Sequence, residues 1–393
     1  MSEQNSAITE MQGHRNLLVL LFAGFVLSGI ATTIVGPMLP IFIRRWSLDD
    51  GQAGLFSTIQ FLAALGGTLA SSAVAAWRGY KPALVLGYAL MGGGLACLNA
   101  NTHSVALTAT AVFGLGYGLI TPGTNLFVAE LGGAKSASLL NQLNFAWGVG
   151  AMTCSVLIAF ALKHNAISIL LAATAIFGGI LVVGLSFISF GVQKHAKDVN
   201  ATGAVSPAIG LGITIAMAAM FCIYVAMENG IGFWSAEYAK RVANGITYMT
   251  TLAPMFFYAG LTSGRAAAPL VLKTLHETKL VLGALSLEAA ASVLLITSRT
   301  LPVATTAVFL AGLGCASVYP IFIAWLSRWY GARAKKIGGI LFALASLGGS
   351  AGSESIGVVS KFSGSLRVGF LVPLACAAIL IFLTLLLRRQ TTA

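Results

Sequence analysis

Acidic residues are scarce in this chain: 393 residues hold eleven Asp and Glu against 23 Lys and Arg, and only 9% of positions are charged. A soluble domain carries about a quarter charged residues, so water is not the solvent for most of this surface. Cysteine is sparse as well. Cys97, Cys154, Cys222, Cys315 and Cys376 each fall inside an apolar run, none at metal-ligand spacing, and read as small core residues. The chain also lacks a His cluster, a paired acidic motif and a nucleophilic serine setting, and no polar stretch is long enough to build a catalytic face or an output domain. Neither an enzyme nor a signalling receptor is expected. Glycine runs such as Gly92-Gly93-Gly94 lack the Lys-Ser/Thr that follows a phosphate loop.

What is present is hydrocarbon. Hydrophobic residues make up 57% of the chain, and the mean hydropathy is +0.89. At about 20 apolar residues per crossing, the length accommodates about twelve spanning helices and no soluble domain. Apolar runs lie at 16–43, 51–77, 82–100, 104–131, 138–162 and 166–190, and, beyond a polar stretch, at 207–239, 245–272, 277–297, 301–327, 334–360 and 366–388. The expected fold is an all-α membrane protein of twelve transmembrane helices. Its parts are an N-terminal tail 1–15, a six-helix bundle 16–190, a linker 191–206, a second six-helix bundle 207–388 and a tail 389–393. The first apolar run has no small-residue cleavage site, so no removable signal peptide is expected.

A net charge of +12 suggests nucleic acid, but the cations lie in short loops between apolar runs, with no basic helix to track a backbone. Membrane topology accounts for them. Arg78, Lys81, Lys194, Lys197, Arg333, Lys335, Lys336, Arg388 and Arg389 are among about 14 cations on one side of an even number of spans, against about eight on the other, so both termini are expected in the cytoplasm; the expected location is a multi-pass protein of a bacterial inner membrane.

The two halves repeat. Gly114-Leu-Gly-Tyr-Gly-Leu-Ile-Thr-Pro122 in the fourth span matches Gly312-Leu-Gly-Cys-Ala-Ser-Val-Tyr-Pro320 in the tenth at an offset of 198 residues. The same offset carries Val149-Gly150 onto Leu347-Gly348 and the first span onto the seventh, which predicts two pseudo-symmetric bundles with Gly114 and Gly312 equivalent.

With these spans in place the chain resembles the major facilitator superfamily over essentially its whole length. Tyr224-Val-Ala-Met-Glu-Asn-Gly-Ile-Gly-Phe-Trp-Ser-Ala-Glu-Tyr238, Asn141-Gln-Leu-Asn-Phe-Ala-Trp-Gly-Val-Gly-Ala151 and Gly260-Leu-Thr-Ser-Gly-Arg265 resemble stretches of its fucose-permease-like and sodium-glucose-type branch. The resemblance implies alternating access without a cofactor, coupled to a proton or a sodium ion. Two departures stand out. The loop Ser72-Ala-Val-Ala-Ala-Trp-Arg-Gly-Tyr-Lys81 has Ala76 where the superfamily places an acid, and Gly36 and Thr121 occupy positions where proton-coupled relatives place carboxylates.

Three carboxylates, Glu228, Glu288 and Glu354, fall within spans away from their ends. Glu228 precedes Asn229-Gly230-Ile231-Gly232, where two glycines predict a loosened helix, and Tyr224 lies one turn earlier on the same face. Because a carboxylate in hydrocarbon costs several kcal/mol, Glu228 is the leading candidate for a solute or coupling site. Glu288, among small residues, reads as a structural group, and Glu354, after Gly348-Gly-Ser-Ala-Gly-Ser353, stands open between a coupling or gating role and a structural one. Arg265, two turns before Lys273, reads as a gating or snorkelling cation. Neutral donors and acceptors come from Asn125, Asn141, Asn144 and Asn229, and aromatic faces from Trp147, Trp234, Tyr258 and Tyr319. Together they predict a cavity that binds ring hydroxyls and stacks on a sugar's apolar side. The expected function is secondary active transport of a small polar solute, a monosaccharide or related sugar, by a monomer in lipid. The alternative is an exporter or flippase of a lipophilic compound, drug or lipid; the absence of an acid on the first span disfavours cationic drugs.

Overall fold

The computed structural model describes residues 2–132, 136–188, 210–245, 248–330 and 334–387. The linker 191–206 and the tail 389–393 lie outside the described residues. Those that are described form fifteen helices and a single 3-10 turn, without a strand. They run α1 (Ser2–Thr33), α2 (Val35–Trp46), α3 (Asp50–Arg78), α4 (Tyr80–Cys97), α5 (His103–Gly132), α6 (Ser136–Lys163), α7 (Ile167–Phe187) and α8 (Leu211–Val242). After the 3-10 turn at Thr250–Leu252 come α9 (Ala253–Val271), α10 (Glu277–Thr297), α11 (Leu301–Cys315), α12 (Val318–Tyr330), α13 (Ala334–Ser363), α14 (Leu366–Gly369) and α15 (Leu371–Leu386).

These helices make twelve spans, the first formed by α1 with α2, the tenth by α11 with α12 and the twelfth by α14 with α15. Among the described residues nine spans are long and apolar enough to cross a membrane by composition alone. The others, α4, α9 and α13, carry lysine, arginine, serine or glycine in their sequences and depend on neighbours for burial. The polar residues of the predicted tail 1–15 continue the first helix, since α1 begins at Ser2.

By proximity the chain gathers into two compact units, one of Met1–Thr32, Leu62–Cys154 and His164–Lys197, the other of Thr33–Phe61, Ser155–Lys163 and Asp198–Ala393. The second unit takes in α2 and the start of α3 because these pack on α8 and α13. A Cβ on Gly36 would lie 3.2 Å from the Gly232 carbonyl oxygen, and one on Gly54 2.9 Å from the Glu354 carboxylate.

Glycine sets how closely the helices approach, and that packing repeats from unit to unit. In the first unit a Cβ on Gly150 would fall 2.0 Å from the Val26 carbonyl oxygen; in the second, one on Gly348 would fall 2.0 Å from that of Cys222. Likewise Gly116 packs on Gly87 and Met91, and Gly314 on Ala284 and Glu288. Where α5 crosses α3, however, the residue against Ala64 is Gly118, and its counterpart against Phe257 is Gly312. By what it touches, Gly312 therefore corresponds to Gly118 rather than to Gly114, a slip of about one turn between the two crossings.

The loosened helix predicted after Glu228 is not seen: α8 runs unbroken from Leu211 to Val242. Its two glycines serve close approach instead. A Cβ on Gly230 would meet Ile356 at 2.7 Å, and one on Gly232 the Tyr258 hydroxyl at 2.9 Å. The interruptions fall at Ile34 between α1 and α2, at Ala316–Ser317 between α11 and α12 and at Phe370 between α14 and α15, each followed three residues on by a proline, Pro37, Pro320 and Pro373. At the other end of α2, Asp49 and Gln52 cap the start of α3 reciprocally. The Gln52 amide donates to Asp49 at 2.8 Å and the Asp49 amide to the Gln52 side chain at 3.1 Å.

Candidate functional site

The interruption of the tenth span positions the site. At the end of α11 the Cys315 carbonyl is one of the groups a helix leaves without an intrahelical donor, and the Tyr224 hydroxyl from α8 donates to it at 3.0 Å. The same hydroxyl lies in hydrogen-bond contact with Glu228 Oε2, one turn further along α8. Arg265, from α9, brings Nη2 to 3.8 Å from that oxygen. Tyr319, at the start of α12, completes the cluster, its ring centroid 5.5 Å from that of Tyr224 and 5.4 Å from that of Phe221. A carboxyl group, a guanidinium and two phenols thus converge from α8, α9 and α12, all within the second unit.

Arg265 does not snorkel away; it faces Glu228. A cation in mid-span is costly in lipid, and here it is paired with a carboxyl group. Its side chain is 31% exposed, against 14% for Glu228, while its Nε is buried.

The other expected residues divide. Asn229 donates to the Val225 carbonyl at 3.0 Å, one turn back on its own helix. Tyr258 stands against Gly232. Trp234 is fully buried, and its indole N–H donates to the Ser353 carbonyl at 2.8 Å, which fixes α8 on α13. Glu354 accepts from Thr58 at 3.1 Å and so ties α13 to α3. In the first unit, Asn125 donates to Thr121 and Asn144 to Leu140, each at 2.8 Å and each on its own helix, while Asn141 is exposed and Trp147 half-buried. Glu288 is fully buried with Ser292 donating to Oε1 at 2.6 Å, and its Oε2 has no partner. Nothing in the sequence showed that Tyr224 would bridge Glu228 to the tenth span, because Cys315 O is a backbone atom freed only by the interruption.

The departures have a physical reading too. With the Gly36 Cβ position 3.2–3.3 Å from the backbone oxygens of Gly232 and Phe233, there is no room for a carboxylate there. Lys81 donates to the Ser186 and Ile188 carbonyls at 2.8 and 2.9 Å and caps the end of α7, while Arg78 stacks 4.2 Å over Trp77. The Ala76 side chain lies outside the described residues.

Another charged group gathers at the far end of α8. Asp50 accepts from Arg241 Nη1 at 2.9 Å and from Ser360, Arg241 Nε donates to Glu237 at 2.9 Å, and Lys240 to Glu237 at 3.0 Å. Lys361 pairs with Asp49 at 3.1 Å. The Gln52 amide is the main cause of an Asp49 carboxyl held below the usual carboxylate range.

Among solved structures, the arrangement of helices is shared by a D-xylose–proton symporter (13% identity, 93% of this chain and 96% of that one, TM-score 0.74). It is shared by the nucleoside transporter NupG (14%, 95% and 98%, TM-score 0.71). The E. coli fucose–proton symporter, a major facilitator superfamily transporter, matches as well (17%, 94% and 98%, TM-score 0.61). The chain has the major facilitator fold. No protein-family model matches its sequence, and no curated protein does. At these identities the major facilitator likeness extends to the fold, and the Glu228–Tyr224–Arg265 cluster stands on this chain's own geometry.

Proposed function

We propose that this protein is a secondary active transporter that moves a small polar solute, a monosaccharide or related sugar, by alternating access. The observation that carries the reading is the cluster of Glu228, Tyr224, Arg265 and Tyr319 inside membrane-spanning helices, where ionisable groups are expensive unless they serve a solute or ion path. The fold is that of carriers, and solved proteins with it include symporters of xylose and fucose and a carrier of nucleosides, solutes rich in hydroxyls. Glu228 and Arg265 are the coupling pair in this reading, with Tyr319 and Tyr258 as aromatic faces. Asn125, Asn141, Asn144, Trp147 and Asn229 supply polar and aromatic contacts from their own helices. Glu354 and the Asp50–Arg241 network act as gate contacts. The protein works as a monomer in a bacterial inner membrane, with both termini and the linker 191–206 cytoplasmic.

A thermal-shift screen of the purified protein against sugars, nucleosides, lipids and lipophilic drugs, followed by uptake into proteoliposomes under an imposed pH gradient, tests it. A ligand that binds the native state raises the midpoint. Stabilisation by sugars and gradient-driven uptake are expected. Stabilisation by lipids or drugs alone would give the protein to the export of lipophilic compounds.

A further inference from the structure

Away from the Glu228 cluster, the second unit has a cavity walled by cations. It measures about 170 Å³, far more than the roughly 10–15 Å³ a single water needs, and Tyr238, Arg241, Gly364, Ser365 and Arg367 line it. A turn sets its shape. α13 ends at Ser363, Gly364 takes a φ of 68° that a side chain would resist, and α14 begins at Leu366, which brings Arg367 to the cavity that Arg241 enters from the last turn of α8.

Charge at this end does not balance. Arg241 is matched by Asp50 and Glu237, Lys240 by Glu237, and Lys361 by Asp49. Arg367 has no such match. Its Nη2 donates to the Ser298 carbonyl at 3.0 Å, and among the described residues no carboxylate pairs with it or with the exposed Arg299 that follows Ser298. The Ser365 hydroxyl likewise makes no hydrogen bond among the described residues, where only its backbone is engaged. Close by in sequence, Phe362, Val368 and Leu371 are 85%, 36% and 47% exposed, so apolar surface adjoins the unmatched cation where the twelfth span begins. A cation with hydrocarbon beside it marks a headgroup boundary.

We propose that this cavity holds the phosphate of an anionic membrane phospholipid, with Arg367 as its main ligand, Ser365 as a second donor and the acyl chains along Phe362, Val368 and Leu371. A guanidinium fork suits the paired oxygens of a phosphodiester, and Arg367 keeps nitrogens free of Ser298 to meet them. A free phosphate would use the same donors but has no need of the apolar rim, which is why the lipid is the favoured occupant. Once bound, it ties the end of α10, through Ser298, to the start of the twelfth span. The proposal stands apart from the transport reading, because no solute contact enters it.

The test titrates the full-length protein, in a neutral detergent, with dioleoylphosphatidylglycerol, with dioleoylphosphatidylcholine, whose phosphate is offset by a choline, and with inorganic phosphate at constant ionic strength. Thermal unfolding is read at each step. Phosphatidylglycerol is expected to raise the midpoint saturably, and the other two to leave it near its starting value. Arg367→Gln should raise the half-saturating concentration by about fivefold, the worth of one cation beside an anionic lipid. Arg44→Gln, an equal loss of charge at an exposed position in the last turn of α2, should not change it. Ser365→Glu, which puts an acid in the cavity and spares the Arg367 contact with Ser298, should abolish the response, and it decides the matter if Arg367→Gln fails to fold. Equal responses to the two lipids, equal weakening by Arg367→Gln and Arg44→Gln, or an unchanged response in Ser365→Glu overturns the proposal. A full response to inorganic phosphate alone overturns the lipid in favour of a free anion.

Discussion

Asp50, the first residue of α3, is held by the guanidinium of Arg241 in the last turn of α8, 191 positions away in sequence, with Nη1 2.9 Å from Oδ2. Glu237 lies behind the guanidinium with its side chain only 1% exposed, so Arg241 neutralises one buried and one shallow carboxylate together. Arg241→Gln should lower the thermal midpoint by the equivalent of about 1–2 kcal/mol, less than a fully buried pair because Arg241 is 34% exposed and Glu237 keeps Lys240. Asp50→Asn should cost less, since its amide oxygen still accepts from Arg241 and Ser360. A double-mutant cycle read by thermal unfolding in detergent should give a coupling of about 1 kcal/mol that shrinks in high salt. A coupling of zero would mean that the contact holds nothing.

The repeated glycine crossings make a matched pair of predictions. Gly150→Ala and Gly348→Ala each place a methyl group 2.0 Å from a backbone oxygen of the facing helix, a distance that only movement of the whole helix relieves. Both should destabilise, by about 1–3 kcal/mol or more, and by similar amounts. Gly93→Ala and Gly179→Ala meet nothing within 4 Å and should be neutral or stabilising by up to about 1 kcal/mol. Thermal unfolding of the four variants checks this, and a large loss at Gly93 or Gly179 would contradict the packing.

Trp234 separates packing from binding. Its buried indole N–H donates to Ser353, so Trp234→Phe should lose that hydrogen bond and some volume, at about 1–3 kcal/mol, with solute affinity unchanged. A selective loss of affinity at normal stability would favour Trp234 as a sugar platform.

The spans were legible because a membrane demands long apolar runs, and the repeat because equivalent helix crossings need glycine at equivalent depths. The site was only half legible. Glu228 announced itself as a rare carboxylate in hydrocarbon, but Gly230 and Gly232 read equally as hinge or contact, since both uses need only the missing Cβ; their neighbours, Ile356 and Tyr258, decide for contact. Arg265 was read by its distance from Lys273 along one helix, whereas its partner is on another. Trp234 was read by chemical type, and its hydrogen-bond partner is a backbone carbonyl that no side-chain pattern reveals.

Topology makes a prediction independent of the site. Reporters placed within the segment from Gln193 to Ser206 and after Ala393 should both register cytoplasm, because Lys194, Lys197, Arg388 and Arg389 flank spans on the side that retains positive charge. Opposite locations for the two would break the even span count.

Glu288 supplies the control for the coupling argument. Like Glu228 it is a carboxyl group within a span, but it is fully buried against Gly314, with one hydrogen bond from Ser292 and no cation beside it among the described residues. A group enclosed in this way cannot exchange a solute or readily meet water, whereas the Glu228 side chain is 14% exposed beside Arg265. Glu288→Gln keeps the shape and the acceptor for Ser292 and should leave stability within about 1 kcal/mol of the parent, because no ion pair is broken. Uptake and its pH dependence should also match the parent. Glu288→Ala should instead cost about 2–4 kcal/mol by opening a cavity and leaving Ser292 without its acceptor. If Glu288→Gln were stable yet abolished proton-driven accumulation, the coupling proton would belong at Glu288, and the role given to Glu228 would have to be abandoned.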